Sequence, residues 1–287
     1  MSRRNLALNF SRISVLFSVL FKRKPPLDEV SVRWLFDVFE WSLRNFSPGV
    51  FYGQTRLVLP TNEHFPGKVD SVQGMAELVF ERVAEYAGMA HWLWQVVEKS
   101  HCDLDAVQQI PSGATQEFVG SSSPSAFSTQ ALPVVYDRLH IGNPEALIAG
   151  FAHTLGQYLG YTAKEAPPGG VNNWPQITEV LADYLGFGLM FANSAFVFPS
   201  GGCSSCATTV RRNSALSQWD HTYALALFAT LKGIPPRKVK PYLKKSLRGY
   251  YQRCLSDISG RPEFSLLKQY SVEPRKVHDE SLIRAEN

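Results

Sequence analysis

At 287 residues, with 45% hydrophobic and 12% aromatic content, the chain can bury a sizeable core, which excludes global disorder. The length suits one large domain or two small ones. The net charge of +4 is uneven: residues 1–24 hold six Lys/Arg and residues 232–254 hold eight, neither stretch with an acid, which leaves 15 bases against 25 acids elsewhere. The chain is read as an acidic body with basic ends.

Residues 1–24 read MSRRNLALNFSRISVLFSVLFKRK. The apolar run falls far short of the ~18–20 residues a bilayer span needs. The following KRKPP is not a small-residue cleavage site, so no signal peptide is expected. Two readings stay open, a loosely ordered extension or a basic amphipathic contact with an anionic membrane. From Ser31 the apolar spacing predicts a core helix, with Trp34, Leu35, Val38, Phe39 and Leu43 on one side and Pro48-Gly49 as its stop. Residues 55–60 (TRLVLP) predict a short strand. Residues 70–86 predict an amphipathic helix capped by Asp70 or Ser71. HWLWQVVE (91–98), TQEFVG (115–120) and LPVVYDRLHI (132–141) are candidate strands.

The next two segments are the informative ones. NPEALIAGFAHTLGQYLG (143–160) predicts a helix with Asn143 as N-cap and Pro144 in its first turn. One broad face carries Leu147, Ile148, Phe151, Leu155, Tyr158 and Leu159. His153 and Gln157, four apart, fall on the other beside Ala146, Ala149, Gly150 and Gly160. After the loop KEAPPGGVNNW, the segment 174–196 predicts a second helix with Glu179 and Asp183 also four apart, near Gln176, Ala182 and Gly186. Two faces of small residues can approach closely, each bearing a polar pair, so a site between the helices is expected.

AHTLGQYLG resembles the zinc-binding helix of zincin metallopeptidases, whose signature is H-E-x-x-H, and EVLAD resembles the downstream E-x-x-x-D helix of the thermolysin-like (gluzincin) branch. The chain is also similar to a group of bacterial zincin-like proteins with an AHELGH-type helix and a Glu–Asp helix running into GFG-x-x-x-ANS. The resemblance implies zinc ligation by His153 and Glu179, with Asp183 orienting His153 from behind. Two positions depart from it. Thr154 stands where the general-base Glu belongs, and Gln157 where the second His ligand belongs. Threonine cannot take a proton from bound water near neutral pH, and a positioned base contributes ~10²–10⁴ in rate. An amide oxygen is a poor partner for Zn²⁺.

The expectation is a zincin-like scaffold that has lost peptidase activity, with zinc absent or weakly held at His153, Gln157 and Glu179. Such a protein would be a binding or regulatory module, with a protein or peptide partner in the old cleft. A divergent metal-dependent hydrolase and a peripheral membrane protein are the alternatives. So are ordinary helices in which His153 bonds Glu179 or Asp183 without a metal.

Downstream, Cys203-x-x-Cys206 lies in a Gly/Ser-rich stretch; free thiols, a disulfide and a metal pair all stay open. Four cysteines and no signal peptide favour a reducing cytoplasm, with peripheral membrane contact open. WDHTYALALFATLK (219–232) predicts a helix, and its His221 is read as a surface or capping residue in preference to a transition-state donor. RKVKPYLKKSLRGYYQRCLSDI predicts one basic helix packed by Leu243, Leu247, Tyr250, Tyr251 and Leu255. No nucleic-acid partner is expected, because nothing in the sequence shows basic and aromatic groups sharing one exposed surface. The fold class is α+β, helix-rich and zincin-like, a small sheet followed by a paired-helix core. Its limits are a basic extension over 1–30, one domain over 31–270 (31–160 α/β, 161–270 helical) and a tail over 271–287.

Overall fold

A computed structural model describes residues 25–99, 131–195 and 214–271. The expectations for residues 1–24, the strand 115–120, Cys203, Cys206 and the tail beyond 271 lie outside the described residues.

Asp28 starts α1 (Glu29–Asn45) by accepting from the Ser31 N–H at 2.9 Å, and Val32, Leu35, Phe36, Phe39 and Leu43 form its buried stripe. The indole N–H groups of Trp34 and Trp41 donate to Pro168 O and Glu165 O, and Asn45 Oδ1 accepts from the amides of Lys164 and Glu165. One helix thereby holds the backbone of the 164–168 loop through four bonds. The turn α2 (Pro48–Gly53) follows, and Ser71 caps α3 (Val72–Tyr86). Strands β1 (Trp94–Glu98) and β2 (Leu132–Tyr136) pair in parallel, Trp94 opposite Leu132 and Glu98 opposite Tyr136. Tyr158 OH donates to Pro133 O, fixing this small sheet to α4 (Pro144–Tyr161).

Asn143 caps α4 as its sequence predicts, accepting from the Ala146 N–H. α4 then lies directly on α5 (Trp174–Ala182). The close approach runs through Gly156 and Gly160. A Cβ on Gly156 would stand 2.8 Å from Thr178 O, and one on Gly160 would stand 2.7 Å from the Trp174 ring. Beyond α5 the helix widens into a π-type turn (Asp183–Phe187) and resumes as α6 (Gly188–Ser194). Gly186, at φ 99°, breaks the ladder there. Its missing Cβ leaves room for the Arg56 carbonyl, and its own carbonyl accepts from the Val58 N–H at 3.0 Å.

At the centre is α7 (Gln218–Leu231), buried on every side from His221 to Ala229. Such a helix must be surrounded. α6, α9 (Lys245–Ser259) and α1 pack against it, with α8 (Pro236–Val239) leading into α9 and α10 (Pro262–Gln269) closing over α1. Among the described residues the architecture is helix-rich α+β with a two-stranded sheet ahead of the α4–α5 pair, and no helix there is long and apolar enough to cross a membrane.

Three expectations change. The segment 55–60 is not a strand, because its amide partner is the Gly186 carbonyl of a helical turn. The long helix after Trp174 is interrupted at 183–187. The basic segment is not one helix: Pro241 lacks the N–H that would continue the ladder, Leu243 turns extended, and α9 starts afresh at Lys245. The Arg248 guanidinium spans the break, donating to Leu243 O and Pro241 O.

Candidate functional site

Glu179 and Asp183 sit one turn apart, in the last turn of α5 and at the start of the wide turn, and both are buried. The group they meet is His221, in the first turn of α7. Its Nδ1 lies 2.9 Å from Asp183 Oδ2 and its Nε2 lies 3.1 Å from Glu179 Oε2. The Phe191 ring packs at 5.1 Å against the imidazole. Ser217 and Asp220 form a capping box that fixes where α7 begins and hence which way His221 points. The expectation of a surface or capping histidine is thus corrected: the cap is Ser217, and His221 is 0% exposed.

A ring nitrogen facing a carboxylate serves as a donor, so an imidazole clamped between two carboxylates carries both protons. Burial alone pulls His221 down, but the Asp183 charge and the hydrogen bonds from Asp183 and Glu179 outweigh it and raise the imidazole to about 9. The cluster is an imidazolium between two carboxylates.

Glu179 carries more than this pair. Ser214 Oγ lies 2.9 and 2.8 Å from its two oxygens, and the N–H groups of Ala215 and Leu216 donate to it at 3.1 and 2.9 Å. Four donors therefore surround one carboxylate and tie the 214–216 segment to α5. Ser214 Oγ also lies 3.4 Å from His221 Nε2, so serine, histidine and aspartate stand in the order of a hydrolase triad. The chemistry of a triad does not follow. The base in a triad must accept the serine proton, whereas Nε2 here already holds a proton directed at Glu179.

The other expected residues lie on α4. His153 is half-buried there, one turn from Gly156. Thr154 donates back to Gly150 O at 3.3 Å, and Gln157 donates to Tyr161 OH at 3.2 Å, whose ring stacks on Trp174. Asn193, in the ANS stretch, is structural: its amide donates to Glu145 Oε1 at 2.6 Å and Tyr242 O at 2.9 Å and accepts from the Lys244 N–H. Burial raises Glu145, and the Asn193 bond partly offsets that.

Among the described residues no three His, Cys, Asp or Glu side chains are grouped as metal ligands. A cation at Glu179 would have to displace donors already in place, so the carboxylate that the resemblance assigns to zinc fits that role poorly as it stands. Ser214 has no signal in the sequence. His221 had one: S-x-x-D before an apolar run places the helix start at Ser217, which puts His221 on the stripe of Leu225 and Phe228. Comparison of the chain with protein-family profiles, curated proteins and solved structures finds no match.

Proposed function

We propose that this chain is a zincin-like protein without peptidase activity, a binding or regulatory module in a cytoplasmic setting, with zinc absent or weakly held. One observation carries this reading. Glu179, which the resemblance makes the third zinc ligand, accepts from Ser214, Ala215, Leu216 and His221 at 2.8–3.1 Å. A residue type used elsewhere for metal ligation is spent here on joining α5, the 214–216 segment and α7. Thr154, at the general-base position, bonds its own helix and offers no carboxylate. The partner in this reading is a protein or peptide lying along α4, and the basic residues 1–24 add an anionic membrane contact.

The test is zinc content by elemental analysis after dialysis. Wild type is expected to hold well under one equivalent, unchanged in His153→Ala. Stoichiometric zinc that is lost in His153→Ala and Glu179→Gln would replace this reading with a divergent metal-dependent hydrolase. Thr154→Glu with Gln157→His rebuilds H-E-x-x-H, and uptake of zinc by that double variant is the expected mark of a zincin frame. A folded double variant that stays metal-free would remove the zincin part of the reading and leave the non-catalytic part standing.

A further inference from the structure

The stretch 232–254 contains eight bases and no acid, and the fold gathers several of them into one shallow groove. Its walls are the α8 corner and the flank of α9. Pro236, Arg237, Lys240, Pro241, Arg248 and Gln252 line one end, and the depression continues past Gly249 and Arg253 to Ser256. Among the described residues, Arg237, Lys238, Lys240, Lys245, Arg248 and Arg253 form no ion pair. The acids at the border are committed elsewhere, Asp257 to Arg261 and Tyr223 and Asp220 to Ser217. Uncompensated cations lining a concavity attract a polyanion.

Exposed aromatic rings stand beside the groove. Trp219 is 40% exposed and stands 4.8 Å from Tyr250, over whose ring the Arg253 guanidinium lies at 5.4 Å. Tyr242, 38% exposed, follows Pro241 at the groove's end. Arg253 of the groove and the exposed Trp219 ring both pack on Tyr250, a juxtaposition of basic and aromatic groups that the linear sequence did not reveal.

We propose that this groove binds the phosphate backbone of single-stranded nucleic acid, with Trp219 and Tyr242 offered to unpaired bases. A concave track of separated cations follows a linear phosphate chain, whereas a planar bilayer would touch only its rim. Along α9 the lining residues Gly249, Gln252 and Ser256 offer no apolar side chain to insert among lipids. Arginine forks match phosphate oxygens, and exposed rings stack on bases only when those bases are unpaired.

The experiment is fluorescence anisotropy with a labelled oligouridylate of about 20 nucleotides, using the full chain at salt from about 50 to 200 mM. Wild type is expected to bind with affinity that falls as salt rises. Arg237→Gln/Lys240→Gln/Arg253→Gln, which spares the Arg248 bonds to the α9 start, should flatten the plot of log affinity against log salt by about 2 and weaken binding roughly a hundredfold at the low-salt end. Each single replacement should flatten it by about 0.7, so the inference stays testable if the triple variant folds poorly. Trp219→Ala should weaken binding while leaving the salt slope unchanged. No binding at low salt, or salt slopes unaltered by the Arg237, Lys240 and Arg253 replacements, overturns the proposal. So does binding to phosphatidylserine vesicles that depends on the same residues without oligouridylate binding, which would identify the surface as a membrane contact.

Discussion

His221 concentrates the electrostatics of the interior in one side chain. Its proton is held more tightly in the folded protein, at about 9, than in the unfolded chain, near 6.5. The stabilisation is therefore complete below about 6.5 and is lost progressively as the pH rises through 9. Urea unfolding at pH 6, 7.5 and 9 is expected to show a falling midpoint, a trend that His221→Gln should flatten. His221→Ala removes the imidazolium that lies between the two buried carboxylates and is expected to cost about 3–5 kcal/mol in the same assay. Sequence reasoning placed Glu179 and Asp183 on one inward face correctly but looked to α4 for their histidine. Helical periodicity shows which residues share a face; it does not show that a later helix delivers a histidine there, and the capping box before α7 was the local sign.

Two glycines of α4 separate local from tertiary effects. Gly156 touches the Thr178 carbonyl across the helix pair, while nothing lies within 4 Å of a Cβ on Gly150. Gly156→Ala must push α5 away and is expected to lower stability by about 1–3 kcal/mol. Gly150→Ala should raise it by roughly 0.5–1 kcal/mol, since alanine is the better helix former and meets no obstruction. Thermal melts of the two variants should move in opposite directions, and a parallel shift would mean the helices do not meet at Gly156. The helix pair itself was legible from periodicity, Asn143 and Pro144. The wide turn was not, because a glycine within an apolar run gives no hint of φ 99° until the Arg56 segment is laid across it.

At the scale of the whole molecule, the tie longest in sequence among the described residues joins α1 to the C-terminal helices. Arg261 donates to both Glu29 oxygens at 2.9 and 3.0 Å and to Asp257 at 2.6 Å, and these bonds push its guanidinium further toward the charged form. Tyr52 OH reaches Leu267 O, and Tyr270 OH reaches Glu40. Because Glu29 is mostly exposed, Arg261→Ala should cost only about 1–2 kcal/mol, read as a lower melting temperature, with high salt narrowing the gap to wild type. Long-range closure of this kind has no periodic signature. The helices α1, α3, α4 and α7 could be read one at a time from capping residues and apolar stripes, while the order in which they stack around α7 could not.

That closure has a consequence for synthesis. The partners of Trp41 and Glu29 lie 124 and 232 residues downstream, so the aromatic stripe of α1 leaves the ribosome long before its neighbours exist. At about 5–20 residues per second the wait for Arg261 is roughly 10 to 50 seconds. During that interval Phe36, Phe39 and Trp41, all buried in the finished fold, face water or whatever chaperone covers them. A helix made early is among the last to be sealed.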